Sequence, residues 1–514
     1  MGRHLGPKRR LHYAVLVGLL LLAGLTSSFA AERLKELRVA QIGSPSAMDC
    51  WNFTAVDEGD IIRHFLEPLF DFDRQGVVHG ALVESWEMHS PTEWLLRLRK
   101  GVKFHDPEYG EVKAEDVVAS LETCARETAR SATAFPKPIL QHQAEMLDEY
   151  TIRLTLPEPG TGALPHNFAY AYVYPKKYLA LGKEQVARRP IGAGPYRFVE
   201  WVPNQRIVVE RFEGYWGQEQ FIDRIVWRIL PDAFTRKSEF LTGGIDILPF
   251  VQPSWAPEIE ANPSTHLEHV LSGRYMHVIL PLQQPPFQDK RVRQALNYAI
   301  NREEIVKQLF LGVGAIPLTG AIHPILPEAD PNRQGYPYDP KKARQLLAAA
   351  RADGVKIGKI TLYATNDRYT LDKELGEVVV GYWQAIGLDV EYIHQPRSVL
   401  FPNVSTFKLK DPYLIGFGNI HLRAEWPFEI AANRYYAGPI PEAWQRLLDA
   451  LARTAPDDPR RVELARQLDP QWTDYAAWVF LINFVDLYGV NNRVDWKPYA
   501  IENRYFLDTK PRTK

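Results

Sequence analysis

Between Asp289 and Ile393 the hydrophobic period switches repeatedly between helical and strand spacing, and the helical stretches carry their own start and stop signals. Asp289 is placed to cap a helix whose apolar face is Val292, Ala295, Leu296, Ala299 and Ile300. Asn301, with Glu304 three residues on, has the form of a capping box for a second helix. Ile305, Val306, Leu309 and Phe310 continue its face, and Gly312 is placed to end it. Asp339-Pro340 then supplies a cap followed by proline at the first helical position, with Leu346, Leu347 and Ala350 as the face and Gly354 as the stop. A strand at 359–363, a helix at 371–385 and a strand at 388–393 complete the run. Alternation of this kind predicts an α/β fold, with helices layered on a sheet.

The first half reads less regularly. Strands are expected at 37–42, 93–99, 150–156, 192–201, 206–211 and 225–230. Helices are expected at 60–70, where Ile61, Phe65 and Leu69 share a face, and at 113–127. A length of 514 residues exceeds one core, so two or three domains follow. Proline and glycine are scattered rather than gathered in one linker, which predicts domains wound together by several chain crossings.

The N-terminus predicts export. Arg3, Lys8, Arg9 and Arg10 precede the apolar run Tyr13 to Leu25, and Ser28-Phe29-Ala30 offers a small-residue cleavage site after Ala30. The run is shorter than the roughly 20 residues of a transmembrane helix. No cysteine lies near the cut, and no second long apolar run follows, so a soluble mature protein is expected. The two cysteines, Cys50 and Cys124, could pair in an oxidising compartment. Cys124 shares the apolar face of its predicted helix with Val117, Val118 and Leu121, which favours a buried thiol.

A net charge of −1 gives no basic excess for nucleic acid. The chain has no G-x-x-x-x-G-K-[ST], H-E-x-x-H, C-x-x-C or G-x-S-x-G motif. His64/Glu67 and His421/Glu425 are spacings that chance produces in a chain with 14 histidines and 62 acidic residues. No catalytic residue, metal ligand or cofactor is therefore assigned.

The positive signal is a set of ordered segments. They run Pro68-Leu-Phe-Asp-Phe-Asp, Gly80-Ala-Leu-Val-Glu-Ser-Trp-Glu, Leu96-Arg-Leu-Arg-Lys-Gly-Val-Lys-Phe-His and Ala114-Glu-Asp-Val-Val-Ala-Ser-Leu. Ile191-Gly-Ala-Gly-Pro-Tyr-Arg-Phe and Val208 to Trp216 follow, then Asp289-Lys-Arg-Val-Arg-Gln-Ala-Leu-Asn-Tyr-Ala-Ile, Tyr338-Asp-Pro-Lys-Lys-Ala-Arg and Trp496-Lys-Pro-Tyr-Ala. In this order they resemble the peptide/nickel (oligopeptide-binding) family of ABC-transporter solute-binding proteins. The resemblance implies a two-lobed periplasmic-binding-protein clamshell with an extra α/β domain on the first lobe. Lobe I would comprise 31–55, 190–274 and 486–514, the extra domain 56–189 and lobe II 275–485, after a signal peptide at 1–30. Crossings would fall near Leu271 to His277 and Phe484 to Asn491. The partners implied are a small-molecule ligand, peptide by preference, and an inner-membrane ABC permease. The protein would act as a periplasmic monomer without chemistry on the ligand.

Peptide-binding members of that family often hold the ligand ammonium with an aspartate shortly after Gly-Trp and before Asp-Pro. Here Phe417 replaces the tryptophan, Asn419 stands nearest the aspartate, and Trp426-Pro427 replaces Asp-Pro. Glu425 is the nearby carboxylate, while His421 and Arg423 would suit an anionic or polyol ligand. Either Glu425 faces the ligand, or the ligand lacks a free ammonium, because a buried cation without a counter-charge costs several kcal/mol. Arg368, in a strand-to-helix loop, is a candidate for a ligand carboxylate, with Asp367 beside it as a neutralising alternative. Tyr275 and Trp51 are candidates for stacking on the ligand. A receptor for an oligosaccharide, an opine-like conjugate or a metal chelate remains open, as does a secreted hydrolase.

Overall fold

The computed structural model describes residues 33–45, 48–49, 56–90, 92–127, 141–157, 164–366, 368–405, 409–418, 423–430, 441–454, 458–501 and 504–512. The expected signal segment and Cys50 lie outside these residues; Cys124 is buried.

Its centre is an 11-stranded sheet. In chain order the strands are β1 (Leu37–Gln41), β2 (Tyr196–Val202), β3 (Arg206–Arg211), β4 (Arg224–Ile229), β5 (Ile247–Leu248), β6 (Thr265–Ile279), β7 (Ala315–Pro317), β8 (Ile360–Thr365), β9 (Val390–Gln395), β10 (Tyr413–Gly418) and β11 (Trp478–Asn491). Their spatial order is β2-β3-β4-β1-β5-β11-β6-β10-β8-β9, with β7 also on β11. β1 lies parallel to β4 and β5, and β8 lies parallel to β9 and β10. Between these parallel groups stands the long antiparallel pair β6–β11.

That pair is continuous in chain but not in register. Thr265–Leu271 faces Val485–Asn491, Tyr275–Ile279 faces Trp478–Asn483, and the register shifts between Leu271 and Tyr275 and again at Met276/His277. Arg274, at the first shift, pairs with Asp486 and lies 5.0 Å over the Phe484 ring. The Val485 N–H donates to Gly314 O at 3.0 Å, which ties β7 to the same point. Shifts of this kind bend a strand, and the strand ladder is weakest there.

The capped helices form as the sequence predicts. Asp289 accepts from the Arg291 N–H, Asn301 from the Glu304 N–H and Asp339 from the Lys342 N–H. Val292, Ala295 and Leu296 are buried. Asn297 Nδ2 donates to Trp478 O (2.8 Å) and Arg302 Nε to Phe480 O (2.6 Å), fastening these helices to β11.

The helix expected at 60–70 is a correction. It spans Val56–Ile62, turns, and gives way to short strands at Glu67–Pro68 and Phe70–Phe72. Pro68 would break a helix there, and Phe70–Phe72 pairs instead with Val78–Gly80. Helix-like spacing arose because every residue from Gly59 to Phe72 is buried. Residues 83–155 add a four-stranded antiparallel sheet in the order Val83–Ser90, Glu93–Leu98, Thr151–Thr155, Gln143–Met146, with the helix Ala114–Glu127 beside it. This region meets the main sheet through His64, whose ring sits 5.0 Å from Trp227 and 5.5 Å from Phe506. Arg504 pairs with buried Asp60 in the same contact. Gly192 and Gly194 allow close approach of the chain: a Cβ on them would stand 2.2 Å from Phe65 O and 2.7 Å from Phe65 C.

Candidate functional site

The chain reaches the carboxyl ends of β8 and β10 at loops, the place where open α/β sheets position ligands. After β8, Asp372 organises the loop. Its carboxylate accepts from Thr365 Oγ1 (2.6 Å) and from the backbone N–H groups of Arg368 and Tyr369 (both 3.1 Å). Leu371 takes the left-handed conformation at φ 59° to enter the helix Asp372–Ala385. Arg368 is exposed, with its guanidinium 5.3 Å over the Tyr369 ring. Asp367 lies outside the described residues.

After β10 the chain returns at Arg423. Trp426 Nε1 donates to Gly418 O at 3.0 Å, closing the loop on the strand end, and Arg423 lies 5.6 Å over the Trp426 ring. Glu425 is fully buried. Arg461 donates to it at 2.8 Å and Arg423 at 3.5 Å. Arg461 also donates to Glu328 (3.1 Å) and to the carbonyls of Leu451 (2.9 Å) and Thr454 (3.1 Å). Burial alone would raise the Glu425 carboxyl, but the Arg461 and Arg423 guanidiniums outweigh it and hold the group below the usual carboxylate range. The cluster is thus two guanidiniums against two carboxylates.

Across from it stands His166, in the helix Leu164–Asn167. Burial lowers its ring to about 4, against the charge of Glu425 and with those of Arg423 and Arg461. Elements from opposite parts of the chain therefore converge on this point. Tyr275 lies at the β6 register shift, fully buried, with its ring 6.3 Å from Phe417.

Of the residues singled out from sequence, Glu425 and Trp426 meet near the end of β10, and Tyr275 packs on Phe417 of the same strand. Arg368 stands on the neighbouring loop. Asn419, His421 and Trp51 lie outside the described residues. Sequence reasoning missed Arg461, Glu328 and His166. None sits in a recognisable motif, and each joins the cluster around Glu425 and Arg461 only through the tertiary fold. Among the described residues no group of three or more His, Cys, Asp or Glu side chains could hold a metal ion, and no helix is long and apolar enough to cross a membrane.

A sheet divided by two crossing strands, with loops converging beyond its strand ends, defines the class of periplasmic binding proteins. A solved structure described as the ABC transporter-associated periplasmic binding protein DppA from Helicobacter pylori in complex with peptide STSA superposes with a TM-score of 0.76. It covers 94% of this chain and 99% of that one at 22% identity. Within the class, residues 77–431 match Bacterial extracellular solute-binding proteins, family 5 Middle, and the chain belongs to that family. Among curated relatives, Heme-binding protein A of Haemophilus influenzae is 30% identical over 339 residues, 60% of this chain and 61% of that relative's length. The Glutathione-binding protein GsiB of Escherichia coli O1:K1 / APEC is 31% identical over 384 residues, 71% of each chain.

Proposed function

We propose that this protein is the periplasmic receptor of an ABC importer. It captures a peptide-like solute by closure of two lobes and presents it to an inner-membrane permease, without turnover. The carrying observation is the β6–β11 pair, in which both crossings share one register break at Leu271/Tyr275. Hinges are a few residues that absorb the backbone change of domain closure, and this break supplies them. On this reading lobe I is 31–55, 190–274 and 486–514, the extra domain 56–189 and lobe II 275–485, exported by a cleaved signal peptide and acting as a monomer. Peptide and glutathione in the names of related proteins support the ligand class.

A conjugate without a free ammonium is the second reading. It is favoured by Glu425, whose charge Arg461 and Arg423 already balance. Arg368, Trp426, Tyr275, Asn419, His421 and Trp51 remain the candidates for ligand contact.

The test is thermal unfolding of mature protein against di- to hexapeptides, glutathione, oligosaccharides and opines. Ligand at 100 times its Kd adds about 2.7 kcal/mol of stability, and small-angle scattering should show a smaller radius of gyration with the same ligand. Stabilisation by peptides supports the reading. Stabilisation by a sugar alone overturns the ligand class, and turnover of a substrate without stabilisation overturns the receptor itself.

A further inference from the structure

On the lobe division proposed above, Arg274 stands where the two ladders change over. Just before it, Gly273 is held to lobe I. Its N–H donates to Ala500 O at 3.1 Å, and the Ala500 N–H donates to Arg74 O at 3.0 Å. The Arg274 backbone itself lies opposite Gly418 on β10, in the ladder of lobe II. Its guanidinium reaches back to lobe I. There it pairs with Asp486, beyond the register break on β11, and stands 5.7 Å over the ring of Phe250. At the break it also stands 5.0 Å over the Phe484 ring.

Phe250 follows β5 and takes the left-handed conformation at φ 56°. A residue with a Cβ rarely adopts it, because the Cβ crowds the following carbonyl. Such backbone persists where the surroundings over-determine it. Here the next residue is fastened to β11, with the Val251 N–H donating to Leu487 O at 3.0 Å. The Phe250 ring also carries a second guanidinium, that of Arg504, at 4.6 Å. Arg504 donates to Asp60 from Nε at 2.6 Å and from its backbone N–H at 2.7 Å. Asp60 lies in the helix Val56–Ile62 of the extra domain. Two cations at one ring repel each other, but each is paired with a buried carboxylate and the negative face of the ring attracts both. Glycine at 250 would make the same turn without strain, so the ring is what this strained position retains.

We propose that Phe250 and Arg274 are positioning residues of the hinge: the ring on lobe I and the guanidinium carried by the lobe II ladder form a strap that favours the lobe arrangement seen here before any solute binds. This rests on the reading of the chain as a two-lobed solute receptor. Bending between Leu271 and Tyr275 turns Arg274 relative to Phe250 and Asp486. At 5.7 Å the Arg274 contact is already close to the roughly 6 Å reach of a cation on a ring, so a small rotation breaks it. A solute held between the lobes then binds in proportion to the fraction of protein already so arranged.

The test is small-angle scattering of protein freed of solute by unfolding and refolding. Phe250→Gly and Phe250→Asn both remove the ring and both suit a left-handed backbone. Each should raise the radius of gyration above that of the wild type, while the near-UV circular dichroism, which reports fixed side-chain packing, stays that of the wild type. Arg274→Lys keeps the charge but not the planar guanidinium that stacks on rings, and should move the radius in the same direction. Phe234→Ala, which removes an exposed ring elsewhere on lobe I, should change neither reading. A wild-type radius in the two Phe250 variants, or in Arg274→Lys, overturns the strap. A larger radius with collapsed near-UV dichroism also overturns it, because the ring is then packing lobe I rather than positioning lobe II. No solute enters this measurement. A protein that no solute stabilises would refute the receptor reading, and the scattering would still decide the strap.

Discussion

Replacing Arg461 by methionine leaves Glu425 buried without its main counter-charge. The wild-type contact is 2.8 Å between groups that are both almost inaccessible to water. At such a distance an effective dielectric constant of about 20 gives an attraction of roughly 4–6 kcal/mol, and removing one partner of a buried pair costs about 3–5 kcal/mol. Glu328 loses a donor as well, so the upper half of that range is expected in urea unfolding at pH 8. The sign of the Glu425 contribution to the pH dependence should also change. In the wild type Glu425 is held below the ordinary carboxylate range, so its contribution is present above the unfolded pKa and is lost as pH falls. In Arg461→Met the raising effect of burial dominates, the folded protein binds the extra proton, and the variant's stability deficit relative to wild type narrows as pH falls from 8 to 5. Glu425→Gln combined with Arg461→Met should show a coupling energy of about 2 kcal/mol in a double-mutant cycle. Additive costs, or an Arg461→Met penalty below about 1 kcal/mol, would refute the claim that this pair is what occupies Glu425.

Three further outcomes are expected. For any peptide that stabilises the protein, N-acetylation should weaken binding less than tenfold by calorimetry, because Glu425 is already neutralised; a hundredfold loss would return it to the role of ammonium anchor. Stability should decline as pH falls below 6.5, because burial lowers His64 and His277 to about 3 and His105 to about 4. The unfolded chain then takes up protons that the folded one refuses, and urea titrations from pH 8 to 4 measure it. Gly194→Ala places a Cβ 2.7–2.9 Å from backbone atoms of His64 and Phe65, and should cost about 1–3 kcal/mol in chemical unfolding, whereas Gly358→Ala, with open space around it, should be near neutral.

What could be read without coordinates was local. Asp289, Asn301 and Asp339 announce helices because a cap is a bond between a side chain and an N–H two or three residues away. The strands β1, β3, β4 and β8 follow from short apolar runs in the same way. The helices Glu442–Arg453 and Arg460–Tyr475 were not anticipated. The span from Gly59 to Phe72 misled because complete burial erases the difference between a helical face and a buried turn.

By itself, then, the sequence determined the α/β class, the capped helices and the family, since these rest on neighbours in the chain or on ordered segments along it. Only the tertiary structure decided what the candidate residues face. Thr265–Ile279 and Trp478–Asn491 become one broken ladder because strands about 200 residues apart in the chain pair. Glu425 is neutralised because Arg461, 36 residues on, turns back to it. A carboxylate's charge state and the partners of a buried polar atom are properties of the surroundings, and folding assembles those surroundings from distant parts of the chain.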